Sequence, residues 1–169
     1  MKRLTSTRRL AALIVSTVAL VALAGGTAMA HRQAHVAVAN AVTKTFSFTG
    51  KSNSKTTTIV NVDSLLINAR CDSRGNPVIF AFSSSDNADL FGRMFDGLGR
   101  LHIIKSSAFT KQSKGVSLSP SASGDFDSSG TVMFGTSNGN VVTVDYAFDN
   151  STTLNHLNVC TVYGSVVAT

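Results

Sequence analysis

Apolar residues recur at every second position through most of the segments that clusters of Gly, Asn, Ser and Pro mark off, and a period of two is that of a strand with one face turned inward. In TKTFSFTG, Phe46 and Phe48 share a face; in TTTIVNVDSLLINARC, Ile59, Asn61 and Asp63 stand opposite Val60 and Val62; in NPVIFAFSS, Val78, Phe80 and Phe82 line one side. These apolar positions are core candidates. Shorter strands are predicted over residues 101–104 and 116–118, and HLNVCTVYGSVVA forms the last. The strongest local signal is TVMFGTSNGNVVTVDYAF, two β-rich runs joined by Asn138-Gly139, a dipeptide that accepts the positive φ angles of a two-residue type I′ turn. Centred there, the hairpin pairs Met133 with Val144 and Gly135 with Val142, and it puts Met133, Val142, Val144, Tyr146 and Phe148 on the inner face.

One segment departs from the period of two. DNADLFGRMFDGLGR, residues 86–100, spaces Leu90, Phe91, Met94, Phe95 and Leu98 as a helix would, with Asp86 as N-cap and Gly97 or Gly99 as the stop. It predicts one short helical segment near 86–99. This segment either plugs one end of the domain or offers Leu90, Phe91, Met94 and Phe95 to a ligand or partner. With about eight short antiparallel strands between turn signals, the fold class is all-β, a single β-sandwich-like domain over residues 41–169.

The first thirty residues follow a different rule. Lys2, Arg3, Arg8 and Arg9 precede the apolar run LAALIVSTVALVALA, and Ala28 and Ala30 supply small residues ahead of a cut. That is the layout of a cleaved secretory signal over 1–30, too short in its apolar part to span a bilayer comfortably. Gly26 with Ala28, or Ala37 with Ala39, offers a competing cut. Residues 31–40 read as a flexible lead-in. The expectation is a secreted, extracellular protein whose mature form has no membrane span.

Removing the leader changes the charge. The whole chain carries +6, but without residues 1–30 eleven Lys and Arg face nine acids, every one an Asp. The remaining charges are scattered, which argues against a nucleic-acid partner. Lys105, Lys111 and Lys114 suit a solvated sheet edge that resists strand-to-strand aggregation. Absence of Glu and Trp, with abundant Ser, Thr and Val, favours strands over helices. Cys71 and Cys160 are the only cysteines, far from a C-x-x-C spacing, so in an exported chain they are expected to form a structural disulfide.

Candidate chemistry is sparse. A cut after Ala30 would leave His31 as the first residue, whose terminal amine and ring can chelate copper together, with His102 or His156 completing the set. The AMA-His31 junction resembles that of histidine-brace copper proteins, the lytic polysaccharide monooxygenases and the β-sandwich periplasmic copper carriers. The resemblance covers only the first mature residues, and the lack of Trp departs from an aromatic-rich polysaccharide surface. His35 reads as a solvated side chain. DFDSSG places Asp125, Asp127 and Ser129 as in the first half of a calcium loop, without the Glu that would close it, a place Asp145 across the hairpin could take. No serine-nucleophile elbow, phosphate loop, zinc spacing or dinucleotide fingerprint is present. An Asp-based hydrolase is the weaker alternative, and no pair among the nine Asp stands out for it. The sequon at Asn150 marks an exposed turn. The functional expectation is a secreted, disulfide-stabilised β-domain that binds a protein or glycan at or outside the cell surface without requiring a cofactor. Copper binding through His31 is the alternative.

Overall fold

The computed structural model describes residues 41–119, 127–149 and 159–169. The leader, the lead-in, His31, His35, Asp125, the Asn150 sequon and His156 lie outside them. Ten strands fill the described stretches: β1 (Val42–Lys51), β2 (Thr57–Val62), β3 (Leu65–Cys71), β4 (Pro77–Ser83), β5 (Ala88–Phe95), β6 (Leu101–Phe109), β7 (Val116–Ser117), β8 (Ser128–Gly135), β9 (Val141–Asp149) and β10 (Val159–Ala168). They make two antiparallel sheets, a larger one in the order β1-β10-β9-β8-β5-β6 and a smaller one in the order β2-β3-β4-β7. No helix among the described residues is long and apolar enough to cross a membrane.

Alternation builds the core. Leu65, Ile67, Ala69, Ile79 and Ala81 of the smaller sheet join Leu90, Met94, Val132, Phe134, Val142, Val144, Phe148, Val162 and Val166 of the larger one in a single buried cluster. Phe46 and Phe48 pack against its margin. Across the inner face of the larger sheet one row alternates large and small: Met94, Gly130, Tyr146, Gly164, Phe46 are successive cross-strand neighbours. A Cβ on Gly130 would stand 2.7 Å from the Tyr146 hydroxyl, so this glycine is what lets the ring lie across its neighbour. The Tyr146 hydroxyl donates to the Leu118 carbonyl at 2.9 Å, and burial raises its pKa above the usual value.

The structure corrects four expectations. Residues 88–95 are a strand, not a helix, with burial that alternates at every residue. Strands β6 and β8 flank β5 and satisfy its backbone on both sides, so its apolar residues divide between two faces. TTTIVNVDSLLINARC is two strands, β2 and β3, joined by Asp63-Ser64 with φ of 42° and 73°. With β5 and this division, the strands among the described residues number ten, where about eight were expected. In β4 the buried face is Ile79 and Ala81, and Val78, Phe80 and Phe82 are half-buried on the other side.

The β8–β9 register is shifted by one residue from expectation. Gly135 pairs with Val141 and Met133 with Thr143, so Met133 points outward and Val132 and Phe134 fill the core. The physical reason is the turn. The Thr136 amide donates to Asn140 and the Gly139 amide to Thr136, enclosing three residues, and only Gly139 takes a positive φ, of 85°. A three-residue turn in place of a two-residue one moves the pairing by one, and the flanking strands favour it because that shift buries Val132 and Phe134 in place of Met133. The same pattern closes two other hairpins, at residues 72–76 and 96–100, with Gly75 and Gly99 in the matching place.

Cys71 and Cys160 form a disulfide with Cα atoms 5.8 Å apart. It joins the end of β3 in the smaller sheet to the start of β10 in the larger. Around it, Ser54 Oγ accepts from the Cys71 amide at 2.7 Å, and the Asp72 carbonyl accepts from the Asn53 amide at 2.9 Å.

Candidate functional site

The outer face of the larger sheet carries the features that packing does not consume. Alternation leaves Phe91, Arg93 and Phe95 of β5 pointing away from the core, with Leu101, Ile103 and Lys105 beside them on the edge strand β6. On β8 the outward residues are Ser129, Thr131 and Met133; on β9 they are Thr143, Asp145 and Ala147; on β10, Tyr163 and Ser165. Phe91, Phe95, Leu101, Ile103, Met133 and Tyr163 are each 44–59% exposed on this one face. A large aromatic or branched side chain left in water forgoes roughly 1.5–3 kcal/mol of burial, so such a concentration is informative where single exposed residues are not.

At the middle of the face is a trough of about 460 Å³. Register explains its shape. Phe95, Ser129, Ala147 and Tyr163 are consecutive cross-strand neighbours on β5, β8, β9 and β10. Two small side chains therefore separate two rings standing three strand spacings apart, about 14 Å at the backbone. The adjacent row is Arg93, Thr131, Asp145 and Ser165, which supplies a guanidinium, two hydroxyls and a carboxylate. Thr131 Oγ1 donates to Asp145 Oδ1 at 2.6 Å and holds that carboxylate in place. Beneath lie Gly130, Tyr146 and Gly164, the crowded row of the inner face. The result is an open channel with ring walls and a polar floor.

A recess of about 260 Å³ adjoins the trough through Ser129, Ala147 and Tyr163. It is lined also by Asp127, Ser128 and Asp149, so two of the expected calcium residues, Asp127 and Ser129, meet here. The third, Asp125, lies outside the described residues. Ser128 is buried, and its Oγ has no hydrogen-bond partner. Among the described residues no three His, Cys, Asp or Glu side chains converge as metal ligands would.

His102, one of two candidates for the second copper ligand beside His31, is engaged in a turn. Its Nε2 lies 2.9 Å from Asp96 Oδ2, which also accepts from Arg100 Nε at 2.7 Å. Asp96 Oδ1 accepts from the Leu98 and Arg100 amides at 3.0 and 2.9 Å. The Asp96 side chain has no exposed surface. Its pKa falls well below the usual carboxylate range, first through the His102 contact and then, against the opposing effect of burial, through the Arg100 and Leu98 donors. Asp72 does the same for the 72–76 turn. Its carboxylate accepts from the Arg74 and Asn76 amides and from the Asn76 side chain, and its pKa is lowered although burial, the largest single influence, acts to raise it. Asp86 is taken up by Lys111 at 3.1 Å. Asp72 and Asp96 are thus spent on turns.

The segment expected to meet a ligand is divided by β5. Leu90 and Met94 are core residues, while Phe91 and Phe95 are on the outer face. Arg93, Thr131, Tyr163 and Ser165 were not singled out by sequence, and Asp145 only as a carboxylate that could close a calcium loop. Their only signal was a polar or aromatic residue in the outward phase of an otherwise regular strand, and that phase is readable only once the register is known. No family model, curated protein or solved structure matches the chain.

Proposed function

We propose that the chain is an exported binding domain acting at or outside the cell surface, and that it meets its ligand with the outer face of the larger sheet. The observation that carries this reading is the gathering of Phe91, Phe95, Leu101, Ile103, Met133 and Tyr163, all substantially exposed, on a single face around a polar trough. Recognition sites combine apolar contact area with a few placed polar groups, and this face offers both. The Cys71–Cys160 disulfide supports the export part, since such bridges persist in oxidising compartments. Edge strand β6 bears Lys105, a charge that opposes indiscriminate strand pairing beside an apolar face.

The test compares the wild-type mature domain with a Phe91→Ser/Phe95→Ser/Tyr163→Ser variant, each mixed with the cell-surface fraction of the producing organism and sedimented. Wild-type protein should sediment with that fraction and the variant should stay in solution, with matching circular dichroism and melting. Equal retention of both would sink the assignment of this face. The export part is checked by intact mass after native secretion, with His31 expected as the first residue.

A further inference from the structure

We propose that the trough between Phe95 and Tyr163 binds a short run of a neutral glycan chain, lying across the strands with sugar rings against the two aromatic side chains. This rests on the outer face being the binding face, as above, and it specifies what that face takes.

Four observations select the ligand. First, the trough lies over β8, β9 and β10, interior strands of a sheet in which each is paired on both sides. Their amides and carbonyls are used in the ladders, so a peptide cannot be held here by adding a strand, a recurring way in which an extended peptide binds a sheet. Only side-chain recognition is left. Second, the polar groups on offer are hydroxyls at Ser129, Thr131 and Ser165, the Arg93 guanidinium and the Asp145 carboxylate. This set both donates and accepts, as a polyhydroxylated ligand requires. Third, one cation stands with one anion in the trough, and Asp127 and Asp149 line the adjoining recess. Among the described lining residues the charges carry no positive excess that would attract a phosphate, a sulfated chain or a nucleic acid. Fourth, the walls are rings separated by small side chains. The apolar face of a sugar ring, its C–H groups outward, suits the π-face of Phe95 or Tyr163, and the gap between them, about 14 Å from the strand spacing, exceeds one sugar ring. Ser129 and Ala147 leave the chain room to pass.

The hydrogen bond from Thr131 to Asp145 gives the site a fixed point. It orients the carboxylate before any ligand arrives, which lowers the ordering cost of binding. Arg93 and Asp145 flank Thr131 on neighbouring strands, so a sugar above Thr131 meets a donor fork on one side and an acceptor on the other.

The experiment is affinity electrophoresis of the disulfide-intact domain in native gels cast with cellulose derivatives, soluble chitin, xylan, mannan, mixed-linkage β-glucan or starch. Heparin serves as the charged comparison. Retardation should occur with at least one neutral polysaccharide and not selectively with heparin. Phe95→Ala and Tyr163→Ala should each weaken it by about tenfold or more, as truncating a buried aromatic anchor does. Thr131→Val should weaken it several-fold, and Arg70→Ser, exposed on β3 of the smaller sheet, should leave it unchanged. Melting of each variant establishes that it is folded. No retardation by any neutral polysaccharide, or equal retardation of the Phe95 and Tyr163 variants, overturns the glycan assignment. Surface-fraction binding lost in Phe91→Ser/Met133→Ser but kept in Tyr163→Ala also overturns it while leaving the binding face standing. Surface binding indifferent to all of these variants removes both.

Discussion

Reduction of Cys71–Cys160 is the perturbation whose size the structure determines most directly. The bridge closes a loop of 89 residues. In the chain-entropy description, closing a loop of that length removes about 15 cal/mol/K from the unfolded chain, or about 4.5 kcal/mol at 25 °C. Single domains have total stabilities of roughly 5–15 kcal/mol, so reduction should remove a third or more of the margin and lower Tm by roughly 15 °C. The assay is equilibrium urea unfolding of the same protein with the bridge intact and reduced, followed by stopped-flow folding and unfolding. Because the constraint acts on the unfolded chain, most of the loss should appear as slower folding, and the urea m value should rise as the released chain expands. A loss below about 1 kcal/mol, or one expressed wholly as faster unfolding, would refute the reasoning. The bridge would then act as a strap on the native sheets, which it also joins.

The β8–β9 register is open to a paired substitution: Met133→Ser should change stability by less than about 0.5 kcal/mol, and Phe134→Ala should cost about 3–5 kcal/mol by urea unfolding. The reverse order would restore the two-residue turn. For Asp96, whose folded pKa is lowered, the stabilising contribution is present above the ordinary value of 3.8 and is lost as pH falls below it. Asp96→Asn should therefore be less stable than wild type at neutral pH, with the gap closing in acid; a gap constant from pH 7 to 2 contradicts the role given to His102 and Arg100. Tyr146 behaves in the opposite direction. Its pKa is raised by burial, so its contribution holds below the ordinary value of 10.0 and is lost as pH rises through and beyond it. Tyr146→Phe should cost about 1–2 kcal/mol at pH 7, through the lost bond to Leu118, and should blunt the alkaline decline seen in thermal melts.

Much of the architecture was legible before the structure. The period of two in β1, β4, β9 and β10, the poverty in helix formers, and the lone pair of distant cysteines were enough for an all-β domain with a disulfide. The failures were of phase and partnership. Asn138-Gly139 carried the signature of a type I′ turn, whereas the doubly left-handed turn is at Asp63-Ser64, a dipeptide with a weaker bias. Local preference names the residues that tolerate a turn; the flanking strands choose how many residues it contains, because a shift of one exchanges the buried face for the exposed one. Residues 88–95 illustrate the same limit. Leu90, Phe91, Met94 and Phe95 satisfy a helical stripe and a two-faced strand alike, and only the presence of β6 and β8 on either side settles which backbone bonds are made.

The candidate site follows from that second kind of information. Arg93, Thr131, Asp145 and Ser165 are spread over more than seventy positions of sequence and come into one row only through the register of β5, β8, β9 and β10. Composition and alternation belong to single segments, so the sequence by itself determined that strands would form, which residues could cap their turns and which cysteines could bridge. Pairing is a property of segments taken two at a time, set by turn length and by the common burial of both sheets. Only the tertiary structure could decide that two rings and a polar floor share one face.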